Sequence, residues 1–138
     1  MSLNQEVIRI RCQEIDESLE RLERIKGKSK EEFLKDPDLQ DIACYRLLIA
    51  IEASLNLCYH VAAKQLKRVP GEYAECFALL MEAGIIDSEL GSRLQRMARF
   101  RNLLVHMYWK LDFEFLYDLI QDRLEDLRNF SQKIASLL

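Results

Sequence analysis

Helix breakers are nearly absent from this chain. Only six of its 138 residues are glycine or proline, four and two respectively. That is about 4%, against roughly 12% in average usage. Folds with many strands need a turn every few residues, and those turns lean on Gly, Pro and Asn. The chain is therefore expected to be all-α. The same scarcity excludes a glycine-rich phosphate loop, because no two glycines stand at the spacing of a GxGxxG or Walker motif.

The apolar spacing divides the chain into helices. Ile8, Cys12, Ile15, Leu19, Leu22 and Ile25 recur at steps of three and four, one face of a first helix that Gly27 ends. Ser29 with Glu32 has the pattern of a capping box and predicts a short helical turn around Phe33 and Leu34. Asp36-Pro37 then starts a second long helix, with Asp as N-cap and Pro in the first turn. It should run to about Lys64 or beyond, a length of ~40 Å. One apolar stripe on it holds Leu39, Ile42, Ala43, Ile49, Ala50, Ala53, Leu57 and Val61; another holds Leu48, Ile51, Leu55 and Tyr59. A helix apolar on two sides belongs at the centre of a bundle.

Pro70-Gly71 breaks the chain, and a third helix follows from Tyr73 to Ala83, closed by Gly84. Asp87 should cap a fourth helix with Leu90, Leu94, Met97 and Arg101 on one face. Asp112 should cap a fifth with Phe113, Leu116, Ile120, Leu124, Leu127, Phe130, Ile134 and Leu137. The expected architecture is one domain over residues 1–138, a bundle of about five helices, three of them long.

Cys12, Cys44, Cys58 and Cys76 sit among apolar neighbours, and no two make a CxxC pair. With only His60 and His106 as imidazoles, no metal site is expected. The cysteines read as small buried hydrophobes in a reducing compartment. The opening Met-Ser-Leu-Asn-Gln-Glu lacks the character of a signal peptide. The longest unbroken apolar run, Cys76 to Met81, is far shorter than the ~20 residues of a membrane span. A cytoplasmic protein without a membrane role is expected.

Net charge is −3, which excludes a uniformly basic nucleic-acid binder. Residues 91–111 depart from that average. They contain Arg93, Arg96, Arg99, Arg101 and Lys110 and no acid, a local charge of +5. The counterweight is the acid of the fifth helix: Glu114, Asp118, Asp122, Glu125 and Asp126. A solvated arginine face is the usual meaning of such a run. Here the arginines precede His106, Tyr108 and Trp109, a combination suited to phosphate and base contact. Arg101 and His106 are five residues apart, about 140° around an unbroken helix, so a break or bend near Val105 to Trp109 is predicted to let them converge.

Arg101-Asn102-Leu103-Leu104-Val105-His106-Met107-Tyr108 reads R-N-x-x-x-H-x-Y. It resembles the RxxxxHxY signature of HepT-like proteins of the HEPN superfamily, toxin halves of toxin–antitoxin pairs. The likeness spans nearly the whole chain. It takes in the amphipathic first helix and the long apolar second one, with Ile49-Ala50-Ile51-Glu52-Ala53 and Tyr59-His60-Val61. It also takes in a Pro-x-x-Tyr step at Pro70 to Tyr73 and a Leu-x-x-x-Gly-Ile-Ile step at Leu80 to Ile86.

The resemblance implies a metal-independent endoribonuclease, without cofactor, whose homodimer lines one cleft with two motifs. It implies His106 as general acid/base and Arg101 as stabiliser of the transition-state charge. Asn102 would orient the phosphate or His106, and Arg96, Arg99 and Lys110 would hold the RNA backbone. It further implies an MntA-type minimal nucleotidyltransferase antitoxin that adenylylates Tyr108 and so switches the toxin off, as in a type VII system. The alternative is a non-catalytic HEPN module that binds a nucleotide or a partner protein; relatives of that kind usually lack the Arg–His pair.

Each residue also has a plainer reading. His106 could sit at a helix C-terminus and interact with its dipole. Arg101 could bind helix-end carbonyls. Trp109 reads as a core or dimer-interface aromatic, and His60 as a satisfied core histidine. Arg46, Glu52 and Asn56 read as an internal polar network, or as a layer beneath the cleft or dimer contacts.

Overall fold

In the computed structural model, residues 3–106 and 108–138 are described, Tyr108 by its backbone alone. The helices are α1 (Gln5–Lys26), α2 (Lys30–Lys35), α3 (Pro37–Lys64), α4 (Tyr73–Glu82), α5 (Ser88–His106) and α6 (Phe113–Ala135), with one 3-10 turn at Tyr108–Lys110. No strand occurs among the described residues, so the expected all-α class holds. Among the described residues there are six α-helices rather than about five, because the predicted turn at Phe33 is a complete short helix. Its capping box is formed from both sides: Ser29 Oγ accepts from the Glu32 N–H, and Glu32 accepts from the Ser29 N–H.

The other caps follow the sequence. Asp36 Oδ1 accepts from the Asp38 and Leu39 N–H groups, with Pro37 opening α3. Asp87 accepts from Leu90, and Asp112 from Glu114 and Phe115. Each satisfies N–H groups that have no partner within the helix. Gly84 closes α4 at φ 75°, the left-handed geometry that glycine adopts without strain. Gly27 ends α1 differently, at φ −75°, so there it serves as a stop without using its special freedom.

The core is continuous. α3 lies at its centre and packs against α1, α2, α4, α5 and α6. Its buried residues run from Ala43 to Ala62 and include Leu47, Ala50, Ile51, Leu55, Leu57 and Val61. By length and composition α3 could cross a bilayer, but more than half of its most apolar window is buried inside the bundle. Burial on several sides accounts for that composition. Against α3, α1 contributes Ile8, Ile15, Leu19 and Leu22, and α6 contributes Leu116, Ile120, Leu124, Leu127, Phe130 and Ile134. Cys44, Cys58 and Cys76 are buried and Cys12 half-buried, and no disulfide joins them. Burial raises the Cys58 and Cys12 thiols above their ordinary pKa, which keeps them protonated.

α4 and α5 pack together on one flank of α3. Gly91, the one glycine within a helix, permits this approach. A Cβ there would lie 2.3 Å from Met81 Sδ and 2.5 Å from Met81 Cγ. Lower on the same interface, Gln95 Nε2 donates to the Ala74 carbonyl at 2.7 Å.

Candidate active site

α5 carries the whole Arg/His segment, and its neighbours decide what each side chain does. The helix is continuous to His106. The predicted break near Val105 to Trp109 falls where expected, with His106 at the end of α5 and the 3-10 turn opening at Tyr108, so Arg101 and His106 stay on one unbroken helix. The reason is local. Asn102 to His106 contains no breaker, and Leu104 continues the buried face of α5. The two side chains therefore project about 140° apart around the axis and roughly 7.5 Å apart along it.

Arg101 turns inward, its side chain only 19% exposed, and its Nε ion-pairs with Glu52 Oε1 of α3. Asn102 Oδ1 accepts a long hydrogen bond from Arg101 Nη1 at 3.4 Å. The guanidinium also lies over the Tyr73 ring at the start of α4, 5.5 Å from its centroid, a cation–π distance. The hydrogen bond to Glu52 raises the Arg101 pKa above its already high value, so the charge is permanent. Three elements thus hold this one cation, in a pose that leaves other N–H groups of its fork for a ligand.

His106, the last residue of α5, is exposed, as is Asn102. Met107 of the motif lies outside the described residues, as does the side chain of Tyr108, which opens the 3-10 turn. Trp109 is 77% exposed. The core reading of Trp109 is thereby corrected: the 3-10 turn carries it off the end of α5, beyond the reach of the bundle interior.

The basic segment is less basic than its composition. Arg93 donates from Nε to Asp126 Oδ1 at 2.9 Å and from Nη1 to Glu89 at 2.8 Å. Asp126 is 4% exposed, and its second oxygen has no hydrogen-bond partner, so Arg93 neutralises a buried carboxylate. The acidic helix α6 is docked along the basic helix rather than set apart from it. Arg96, Arg99 and Lys110 are exposed, and no ion pair is recorded for them among the described residues. They are not gathered on one surface. Arg96 lines a groove between α5 and α6 with Asp118, Asp122 and Phe115. Arg99 lines a second groove between α4 and α5, shared with Asn102, Tyr59, Tyr73 and Glu72.

Two residues of this arrangement were not assigned to Arg101 from sequence. Glu52 carried one signal: it is the only Asp, Glu, Lys or Arg between Leu47 and Ala63, and a lone charge in an apolar helix needs a partner. Tyr73 was legible only as the start of the third helix and the end of the Pro-x-x-Tyr step. Of the remaining polar residues of α3, Asn56 donates to the Glu52 carbonyl one turn back at 2.9 Å, and Arg46 lies over the Tyr45 ring. His60 Nε2 accepts from the Asn4 N–H at 3.0 Å, tying α3 to the start of α1. His60 is thus satisfied, as expected, but it sits half-buried at the edge of the bundle rather than in the core. Among the described residues no three His, Cys, Asp or Glu side chains are grouped to hold a metal ion.

Comparison with known proteins places the chain. A family profile described as ribonuclease HepT-like matches residues 15–134. The mRNA nuclease HepT of Shewanella oneidensis is 27% identical over 122 residues, 88% of this chain and 91% of that protein. The fold is similar to that of a tri-AMPylated Shewanella oneidensis HEPN toxin solved in complex with MNT antitoxin. The TM-score is 0.86 at 25% identity, over 94% of this chain and 97% of the other. YutE of Bacillus subtilis, a cytosolic protein of unknown function, shares the fold with a TM-score of 0.84 at 19% identity, over 99% of this chain and 91% of that one. By the profile match, which spans α6 and most of α1 as well as the motif, this chain belongs to the ribonuclease HepT-like family.

Proposed function

We infer that this chain is the toxin half of a type VII toxin–antitoxin pair, an endoribonuclease that cuts RNA without a metal ion. The intact R-N-x-x-x-H-x-Y motif at the end of α5, in a chain of this family, carries the reading. The RNA 2′-hydroxyl attacks the adjacent phosphorus, its proton passes to a neutral His106, and the P–O5′ bond breaks as that oxygen takes a proton. The products are a 2′,3′-cyclic phosphate and a 5′-hydroxyl. Histidine suits both proton transfers near neutral pH. Arg101 stabilises the charge on the phosphorane oxygens through its remaining fork, and Glu52, Tyr73 and Asn102 position it.

A single chain turns Arg101 and His106 to different sides of α5, which supports a cleft completed by a second copy. In such a homodimer the partner subunit's His106 serves as the acid when this one serves as the base. Arg99 and Lys110, and Arg96 from its separate groove, hold the RNA.

The partner we assign is an MntA-type nucleotidyltransferase. Tyr108 Oη attacks the α-phosphorus of ATP, pyrophosphate leaves, and an AMP-tyrosine remains. The added phosphates repel RNA and occupy the arginines intended for it. The tri-AMPylated state of the similar Shewanella toxin supports this switch. The test is expression of the chain alone and with such a partner, with RNA cleavage by the purified protein. Growth arrest and cleavage should be lost in His106→Ala and Arg101→Ala proteins that still fold. Wild-type cleavage rates in both variants would overturn the mechanism, and an unmodified Tyr108 peptide after co-expression would overturn the switch.

A further inference from the structure

We propose that the groove between α4 and α5 is a nucleobase subsite, and that the base it takes is guanine. The proposal rests on the ribonuclease reading for its biological substrate, but not for its chemistry.

The groove encloses ≈ 540 Å³, within the ~300–1,000 Å³ typical of small-molecule pockets and ample for one nucleotide. It adjoins the reaction centre through shared residues. Tyr73 and Asn102 line the groove, and the same two side chains contact the Arg101 guanidinium. A nucleotide whose phosphate lies on Arg101 therefore has its base within reach of this groove.

The walls suit an unpaired base. Tyr59 and Tyr73 stand edge to face, ring centroids 5.9 Å apart at 83°, and supply aromatic surface of the kind on which single-stranded bases stack. Ala74 and Ala98 line it with small side chains. The frame is fixed by the bond from Gln95 to the Ala74 carbonyl and by Glu75, which accepts from the Gly71 N–H at 3.0 Å.

Two charged groups in the groove remain available. Glu72 is exposed and does not turn back to cap α4. Arg99 is exposed, with no ion pair recorded among the described residues. A carboxylate accepts two parallel hydrogen bonds, and a guanidinium donates two. Guanine offers both complements: N1–H beside the N2 amino group for Glu72, and O6 beside N7 for Arg99. Adenine, cytosine and uracil have no two adjacent donors to fill both lone-pair directions of the carboxylate.

The experiment uses four RNA oligonucleotides that differ only in the base beside one cleavage site, and binding of the four nucleoside 3′-monophosphates by calorimetry. Wild type should favour guanine about tenfold or more in both measurements. Glu72→Gln should bring the four bases to near parity without slowing cleavage of the other three. Arg99→Lys keeps the charge but loses the fork, and should bring binding of the four nucleoside monophosphates to near parity. Selective binding of guanosine monophosphate by a protein that cleaves no RNA would uphold the subsite and remove the nuclease reading. Cleavage with no base preference, or a preference that survives both substitutions, would overturn the subsite and leave the nuclease reading standing.

Discussion

Replacing Gly91 by alanine tests whether the α4–α5 contact depends on the absence of one methyl group. In a helix interior, Gly→Ala alone is worth about 1 kcal/mol of added stability. Here the new Cβ would fall 2.3 Å from Met81 Sδ, 2.5 Å from Cγ and 3.0 Å from Cε. Those atoms must move by more than 1 Å, or α4 must move off α5. Overpacking costs roughly 1–3 kcal/mol, and the clashing atoms belong to the outer end of a flexible, half-buried methionine, which yields at the lower end of that range. Set against the propensity gain, the expected net loss is about 0–1 kcal/mol, a fall in melting midpoint of at most roughly 4 °C for a chain of this size. Removing Met81 first should expose the propensity gain. In a Met81→Ala background the space is open, and Gly91→Ala should then stabilise by about 1 kcal/mol. The double-mutant cycle would give a coupling of roughly 1–2 kcal/mol. Urea unfolding of the four proteins at one fixed concentration measures it. A Gly91→Ala effect of the same sign and size in both backgrounds would refute the reasoning. Any displacement of α4 is also functional, because it moves Tyr73 relative to Arg101.

Glu52→Gln keeps the shape but removes the charge that holds Arg101; kcat should fall ~10–100-fold, the scale of a misplaced catalytic group, with KM changing much less. An unchanged kcat would reduce Glu52 to a stabilising role. Arg93→Ala and Arg96→Ala should separate structure from binding. The first strands the buried Asp126 carboxylate and lowers the melting temperature with little effect on RNA affinity, whereas the second leaves stability intact and reduces the salt slope of single-strand binding by about 0.7. His60 titrates below its ordinary pKa because burial disfavours its cation, with Lys64 adding to the effect. A depressed folded pKa means that the neutral form's stabilisation is complete above the unfolded value of about 6.5 and is lost as pH falls from there toward the folded value. Melting temperature should decline over that window in wild type and less in His60→Gln; identical pH slopes would count against the assignment.

Most helix starts were legible because capping is local. Ser29, Asp36, Asp87 and Asp112 each satisfy N–H groups two or three residues ahead, and such spacing is visible in any sequence. The end of α3 was less so. It stops without glycine: Lys67 takes φ 56°, and the Arg68 N–H reaches back to the Ala62 carbonyl. Lysine carries no signal for a left-handed residue, so nothing in the sequence separates this turn from continued helix until Pro70. Gly91 was legible as a glycine without a boundary to mark, but its reason lies across the helix interface on Met81, ten residues away.

The site divides along the same line. The motif is contiguous and could be read; what each charge does depends on residues brought in by packing. Arg101 meets Glu52 across 49 positions, and Arg93 meets Asp126 across 33. Of five cations in a segment of +5, two are thereby held by acids from α3 and α6. The other three are divided between two grooves and the terminal turn. Local composition thus overstated the free charge available to RNA and understated the order imposed on it. A phosphate approaching this surface meets one fixed, half-buried arginine rather than a uniform basic field. On the proposed mechanism its binding energy is concentrated on the phosphorus that is to react, because a cation already held in place by Glu52, Tyr73 and Asn102 needs little reorganisation as transition-state charge develops.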